Sequence, residues 1–344
     1  MGRTLGDFAI FLGKRLLQLV PVVLGVIVIT FIFIHAANSD PCATWLKHLK
    51  PGPAGQAVLD NCINYFGVNK PLYIQFGNYL GSLVHGNLGT DPNTGGPVAS
   101  VILTAFPETL ELVLAALFLM IVIGIPLGVI AANSNGRVAD HLVRIFYLSG
   151  WATPTYLGAI VLAVAVGPAL GLPTKGNYTG SIPFPQPTHM LVLDALLAGN
   201  LGGAWNAFSH LILPAVALAF LNMGIAVRMT RSSMLEALPL DYVKTARMKG
   251  LSEFLVLYKH ALRNSLITTV TVLGITAGTL LSGTIVIEEI FQWPGIGQYA
   301  FLAITTSDTA GTIAVVVIFA IGVVIANLIA DIMYGVLDPR VDWR

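Results

Sequence analysis

Six apolar runs, each close to the ~20 residues that a helix needs to cross a bilayer core, constrain this chain more than any other feature. They fall at Leu16–Ala37, Thr109–Ala132, about His141–Leu170, about Leu211–Arg228, Ser265–Ile287 and Thr312–Val336. Each is predicted as a membrane helix. Leu16–Ala37 follows a short basic start and therefore also reads as a signal peptide. It is longer than a signal core and no small-x-small cleavage site follows it cleanly, so a retained first span is preferred. Gly124, Pro126 and Gly128 interrupt the second span, and Trp151, Thr153, Pro154 and Thr155 stand near the middle of the third. Small residues let membrane helices approach closely, and a proline is tolerated where neighbours satisfy the carbonyl it frees.

The composition agrees with this reading. Of 344 residues, 55% are hydrophobic and only 10% charged, with a mean hydropathy of +0.79; soluble domains carry about 25% charge. A net charge of +1 gives no case for nucleic acid. Two cysteines do not make a zinc set. The sequence holds no G-x-x-x-x-G-K-[S/T], G-x-S-x-G or H-E-x-x-H, so ATP hydrolysis or standard hydrolase chemistry is not expected of this chain.

The cations choose the orientation. Six spans put both termini on one side of the membrane. With the N-terminus inside, Arg3, Lys14, Arg15, Arg137, Arg144, Arg228, Arg231, Lys244, Arg247, Lys249, Lys259, Arg263, Arg340 and Arg344 are cytoplasmic, and only Lys47, Lys50, Lys70 and Lys175 are external. That bias predicts N-in, C-in. Residues 38–106, polar and rich in proline and glycine, then form an extracytoplasmic insert, with helical spacing around Tyr73–Leu83. Disulfides persist on that side. A Cys42–Cys62 bridge and two free thiols are the alternatives. Residues 171–206 form a second polar external loop, and 339–344 a cytoplasmic tail.

One long polar stretch separates two apolar ones: Asp241–Leu266, DYVKTARMKGLSEFLVLYKHALRNSL. Asp241 is suited to cap a helix over Tyr242–Lys249, Gly250 to end it, and Ser252 to cap a second helix. A helix–Gly–helix hairpin with exposed Tyr and Leu among cations reads as a docking element. The plain alternative is a basic loop that only sets topology.

These residues resemble a known family. D-Y-V-x-T-A-R-x-K-G-L at Asp241–Leu251 and H-A-L-R-N-x-L at His260–Leu266 are similar to the cytoplasmic coupling loop of type I ABC importer permeases of the oligopeptide/dipeptide group, in particular the first of their two permease subunits. The broader E-A-A-x3-G pattern of such loops is degraded here to Lys244-Thr245-Ala246 and Gly250. KRLLQLVPVVLG (14–25), NKPLYIQFGNYLGSLVHGNLGTD (69–91), GIPLGVIAA (124–132), LILPAVALA (211–219), RMTRSSMLE (228–236), EEIFQWPGIG (288–297) and NLIADIMYGVLDPR (327–340) extend the resemblance nearly end to end. Two segments depart from it. Asn38-Ser39-Asp40-Pro41 stands where P-G-D-P is usual, and Ser307-Asp308-Thr309 where R-D-Y or M-D-Y is usual.

The resemblance implies an all-α polytopic fold with six transmembrane helices, a core over 107–338 and a coupling loop at about 232–264 between helices 4 and 5. It implies a prokaryotic plasma-membrane importer of di- or oligopeptides, with oligosaccharide or nickel import as alternatives. The implied partners are a second homologous permease, ABC ATPase subunits that bind ATP and Mg, and an extracytoplasmic solute-binding protein. Asp241, Tyr242, Val243, Lys244, Thr245, Ala246, Arg247, Lys249 and Gly250 would dock on the ATPase, with Tyr242 and Val243 as apolar anchors. Polar residues within spans are candidates for the solute path: Asn222, Thr276, Thr279, Ser282 and Glu288, with Thr271 and Thr284 beside them. Gly274 and Gly278 form a G-x-x-x-G face, and helix packing is the preferred reading of this set of small and hydroxyl residues. Glu288 and Glu289 end the fifth span, where a boundary acid reads as functional and the following Phe291–Gly295 reads as a capping element. An intramembrane protease is disfavoured because no Ser/His or His/Glu set stands at membrane depth. An ion-coupled secondary transporter is disfavoured because no internal repeat is detectable.

Overall fold

The computed structural model describes residues 5–37, 42, 52–91 and 94–337. The expected cytoplasmic tail at 339–344, the Asn38-Ser39-Asp40-Pro41 segment and the cations Arg3, Lys47, Lys50, Arg340 and Arg344 lie outside them. Among the described residues the chain is helical, with a lone antiparallel bridge between Thr90 and Pro97. The elements are α1 (Leu5–Ala37), α2 (Pro53–Phe66), α3 (Leu72–Val84), α4 (Val98–Asn133), α5 (Val138–Ala152), α6 (Thr155–Leu170), α7 (Leu191–Leu197), α8 (Leu201–Ala237), α9 (Asp241–Met248), α10 (Glu253–Phe291), α11 (Ile296–Thr305) and α12 (Thr309–Leu337).

Five of these helices, α1, α4, α8, α10 and α12, are long and apolar enough to cross a membrane, or six spans if α5 and α6 count as one. The third span, expected as one helix, is broken: α5 and α6 meet at 106°. Proline explains the break. Pro154 offers no amide to α5 and excludes the helical region for the residue before it, and Thr153 is extended at φ −80°, ψ 127°. Two other prolines are absorbed differently. A widened π turn, Met120–Gly124 in α4 and Leu162–Val166 in α6, stands just before Pro126 and Pro168 respectively. The wider turn makes room for a ring that would clash with the preceding carbonyl.

The 37-residue α8 is the axis of the molecule. At 1.5 Å per residue it is about 55 Å long, well beyond the ~30 Å hydrocarbon layer. It therefore starts before and ends after the predicted Leu211–Arg228 run. Asn200 caps it by accepting from the Gly203 amide at 2.8 Å. Around it pack α4, α5, α7 and α10, and α10 packs in turn on α12. Gly274 and Gly278 of α10 face this last contact: a Cβ on Gly274 would stand 2.5 Å from that of Ala330, and one on Gly278 would stand 3.2 Å from the Val323 backbone. The G-x-x-x-G face is thus a helix-packing seam. α1 is peripheral and lies on α12, where Arg15 pairs with Asp331 at 3.2 Å.

The insert after α1 holds α2 and α3, the latter matching the spacing around Tyr73–Leu83. A disulfide joins Cys42 to Cys62 of α2. Tyr79 and Phe66 are buried and stack at 6.4 Å, and Phe31 of α1 meets Phe76 at 5.3 Å. Gln75 binds His35 through its side-chain oxygen at 3.1 Å and donates to the Lys70 carbonyl at 2.7 Å, which fixes the insert to the end of α1. α4 begins at Val98, earlier than the predicted second span, so the end of the expected insert is already helix.

Candidate functional site: the α9 hairpin and the membrane-embedded polar groups

α9 forms because Leu240 turns the chain in extended conformation and the eight residues after it contain no breaker. It stops at Gly250, whose φ of +72° is the left-handed conformation that glycine adopts without strain. Asp241 is inside the first turn and is not the N-cap. Its carboxylate pairs with Lys244 at 3.1 Å on the surface. Nor does Ser252 cap a separate helix through its side chain. The second arm, Glu253 onward, continues through a π turn at Val256–Ala261 directly into the α10 span. The second arm, and not α9 itself, is continuous with a membrane helix; α9 joins it across the Gly250 turn and the Arg247–Glu253 ion pair.

The two faces of α9 differ. Val243 and Ala246 are buried, at 0% and 4% exposure, within the main core cluster. These two side chains fasten α9 to the core of its own chain. Tyr242, Lys244, Thr245, Arg247, Met248 and Lys249 face outward, Met248 at 80% exposure. Arg247 donates to both oxygens of Glu253, at 2.7 and 3.3 Å, and so bridges the two arms across Gly250. Lys249 has no ion pair among the described residues.

A charge cluster around one buried acid, which the sequence reading did not single out, joins α5 to α8. Asp140, 0% exposed, accepts from Arg231 at 2.8 and 3.0 Å, from Arg144 at 2.6 and 3.0 Å, and from the Gly136 amide at 3.0 Å. Arg231 also donates to Asn135. Arg144 and Arg231, counted above only as topology signals, thus tie the α4–α5 turn to the end of α8. The available signal was the acid four residues before Arg144, a helical pair spacing.

At the opposite end, Glu288 is fully buried. It accepts from Thr109 at 2.7 Å and from the amides of Gly297 and Gln298 at 2.8 and 3.0 Å, while Thr109 itself accepts from the Ile296 amide at 2.8 Å. These amides are the otherwise unbonded first turn of α11. Gly295 is needed because a Cβ there would collide with the Glu288 carboxylate and the Thr109 hydroxyl. Trp293, also fully buried, donates its indole N–H to the Glu108 carbonyl at 3.1 Å. The Glu288 carboxylate thus holds the start of α11 against α4 and α10. Glu108 and Glu111 of α4 hold the following loop in turn, accepting from Asn177 at 2.8 Å and from the Val192 amide at 3.0 Å.

The remaining path candidates divide by exposure. Thr276 is buried, donating to the Val272 carbonyl at 2.8 Å, and Thr284 is buried with it. Thr279 and Ser282 are on the exposed side of α10, and Asn222 is half-buried on α8. Thr276 and Glu288 therefore do not open onto a surface of this chain. Asp308, before α12, is buried beside Asp91 and Tyr299. Burial pushes its carboxyl up to about 7, with the Asp91 charge adding to the rise and the Gly311 and Ala310 amides opposing it. Among the described residues, no group of three or more His, Cys, Asp or Glu is placed to hold a metal.

Long apolar helices gathered on one axis, with one short exposed helix fixed by its inner face, define a polytopic membrane protein. The chain belongs to the family described as binding-protein-dependent transport system inner membrane component, whose model matches residues 124–343. It is 41% identical over 96% of its length to the probable D,D-dipeptide transport system permease protein of Escherichia coli K12, covering 96% of that protein. It is 38% identical to the di/tripeptide transport system permease protein of Pseudomonas aeruginosa, over 96% of this chain and 98% of that one. It is 34% identical to the oligopeptide transport system permease protein of Bacillus subtilis, over 97% of this chain and all of that one. The chain is a multi-pass bacterial inner-membrane permease, and not an enzyme.

Proposed function

We propose that this chain, with a second homologous permease, forms the translocation path for di- or oligopeptides, that partner ATPases drive it, and that an external binding protein delivers the solute. The observation that carries the reading is the two-faced α9, riveted inward by Val243 and Ala246 and presenting Tyr242, Lys244, Thr245, Arg247, Met248 and Lys249 outward. The continuity of its second arm with α10 gives ATPase closure a rigid lever on a membrane helix. The printed names of three relatives support the peptide substrate. The cation bias supports N-in, C-in, which places α9 in the cytoplasm and the disulfide outside. Asn222, Thr279 and Ser282 are the path residues retained.

The double variant Tyr242→Ala/Arg247→Glu, or Gly250→Pro, should abolish peptide uptake in the assembled importer while the chain still inserts. Wild-type uptake in the double variant would refute docking through α9. Uptake that follows an ion gradient and not ATP would refute the importer mechanism.

A further inference from the structure

The first turns of α10 carry a groove of about 420 Å³ lined by Phe254, Leu255, Tyr258, Lys259, Arg263 and Leu266. The Phe254 and Tyr258 rings stack at 4.6 Å along one side. Lys259 and Arg263 are four residues apart, so they share a helix face. Neither has an ion pair among the described residues. The nearest acid along the chain, Glu253, is already taken by Arg247. Two cations over an apolar and aromatic floor are complementary to a ligand with an anionic head and a hydrocarbon body. The groove also stands at the right depth: the apolar run of the span begins at Ser265, just beyond Arg263. Aromatic rings and cations at the boundary of a span are the chemistry of headgroup contact, and basic pockets beside membrane helices take anionic lipid heads.

We infer that this groove is a binding site for an anionic glycerophospholipid, its phosphate held by Lys259 and Arg263 and its glycerol and first methylenes lying on Phe254, Leu255, Tyr258 and Leu266. The site adjoins the α9 hairpin, so a bound lipid would brace the arm through which α9 connects to the span. The inference needs only the membrane location of the chain and is separate from the ATPase-docking reading.

The test is native mass spectrometry of the full chain released from detergent, with phosphatidylglycerol or phosphatidylcholine added. Wild type should retain phosphatidylglycerol preferentially. Lys259→Ala/Arg263→Ala should lower that retention at least threefold and leave phosphatidylcholine unchanged. Lys259→Arg/Arg263→Lys should restore it. Leu266→Trp, which fills the groove and keeps both charges, should lower it as well, so the result does not depend on one variant folding. Equal phosphatidylglycerol retention in wild type, the alanine pair and Leu266→Trp would overturn the inference. So would loss of ATPase co-purification by the alanine pair with lipid retention intact, because the groove would then belong to a protein partner.

Discussion

Arg231 grips Asp140 through two hydrogen bonds, 2.8 and 3.0 Å, between residues 91 positions apart in sequence. The acid has no exposure and its second partner, Arg144, is on its own helix. Removing the acid alone leaves Arg231 and Arg144 without their shared acceptor, although both keep access to solvent. Asp140→Ala should therefore cost ~1.5 kcal/mol, the low end of the scale for a hydrogen bond to a charged group, because solvent reaches both arginines. Arg231→Ala should cost more than Arg144→Ala, because Arg144 is the more solvated of the two. Thermal unfolding of the detergent-solubilised chain measures the order; equal losses for the two arginines would contradict it.

Glu288 serves the fold if it caps α11. Glu288→Ala leaves the Gly297 and Gln298 amides and the Thr109 hydroxyl without their acceptor and should cost ~3 kcal/mol, with Glu288→Gln about half as much. Thr109→Val should destabilise in the same direction through the Ile296 amide. Should Glu288→Gln melt like wild type yet lose uptake of cationic peptides alone, the acid belongs to the path.

The two faces of α9 should separate in a pair of measurements. Val243→Asp buries a charge in a site of no exposure and should lower the melting temperature outright. Met248→Glu changes a residue at 80% exposure and should leave melting unchanged while weakening ATPase co-purification. Both variants failing in the same assay would remove the distinction.

Reduction should act on the insert alone. Alkylation of the denatured chain should add mass at Cys42 and Cys62 only after a reductant, and equal labelling without it would rule out the bridge. The cross-link closes a separation of 20 residues, which by chain entropy is worth about 3 kcal/mol to the insert. Limited proteolysis of the insert should accelerate with reductant, while the α8–α10 core remains intact.

A pH dependence of stability should act through Asp308. Its folded pKa of about 7 exceeds the ordinary 3.8, so the folded state holds the proton more tightly. The stabilisation is complete below about 4 and is lost as pH rises through about 7, up to ~4 kcal/mol in all. The wild-type chain should thus melt higher at pH 5 than at pH 8. Asp308→Asn should reduce that slope; an unchanged slope would assign the titration elsewhere.

Much of this protein was legible along the chain. The membrane helices could be read because burial in lipid is a length-and-hydropathy condition, met residue by residue. The Gly250 stop and the Cys42–Cys62 alternative were legible for similar local reasons. The third span was misread as continuous because hydropathy does not register direction, although Thr153-Pro154 carried the breaking signal.

Sequence by itself determined the helical membrane class, the family and the short exposed helix before Gly250. Only the tertiary structure decided which face of that helix is free, because Val243 is indistinguishable from an interface anchor until the core under it is present. It also decided which groups meet at Glu288, Asp140 and Arg231. A buried charge is stabilised by partners of opposite charge or by hydrogen-bond donors, and here those partners come from helices far apart in sequence, whose meeting no local pattern encodes.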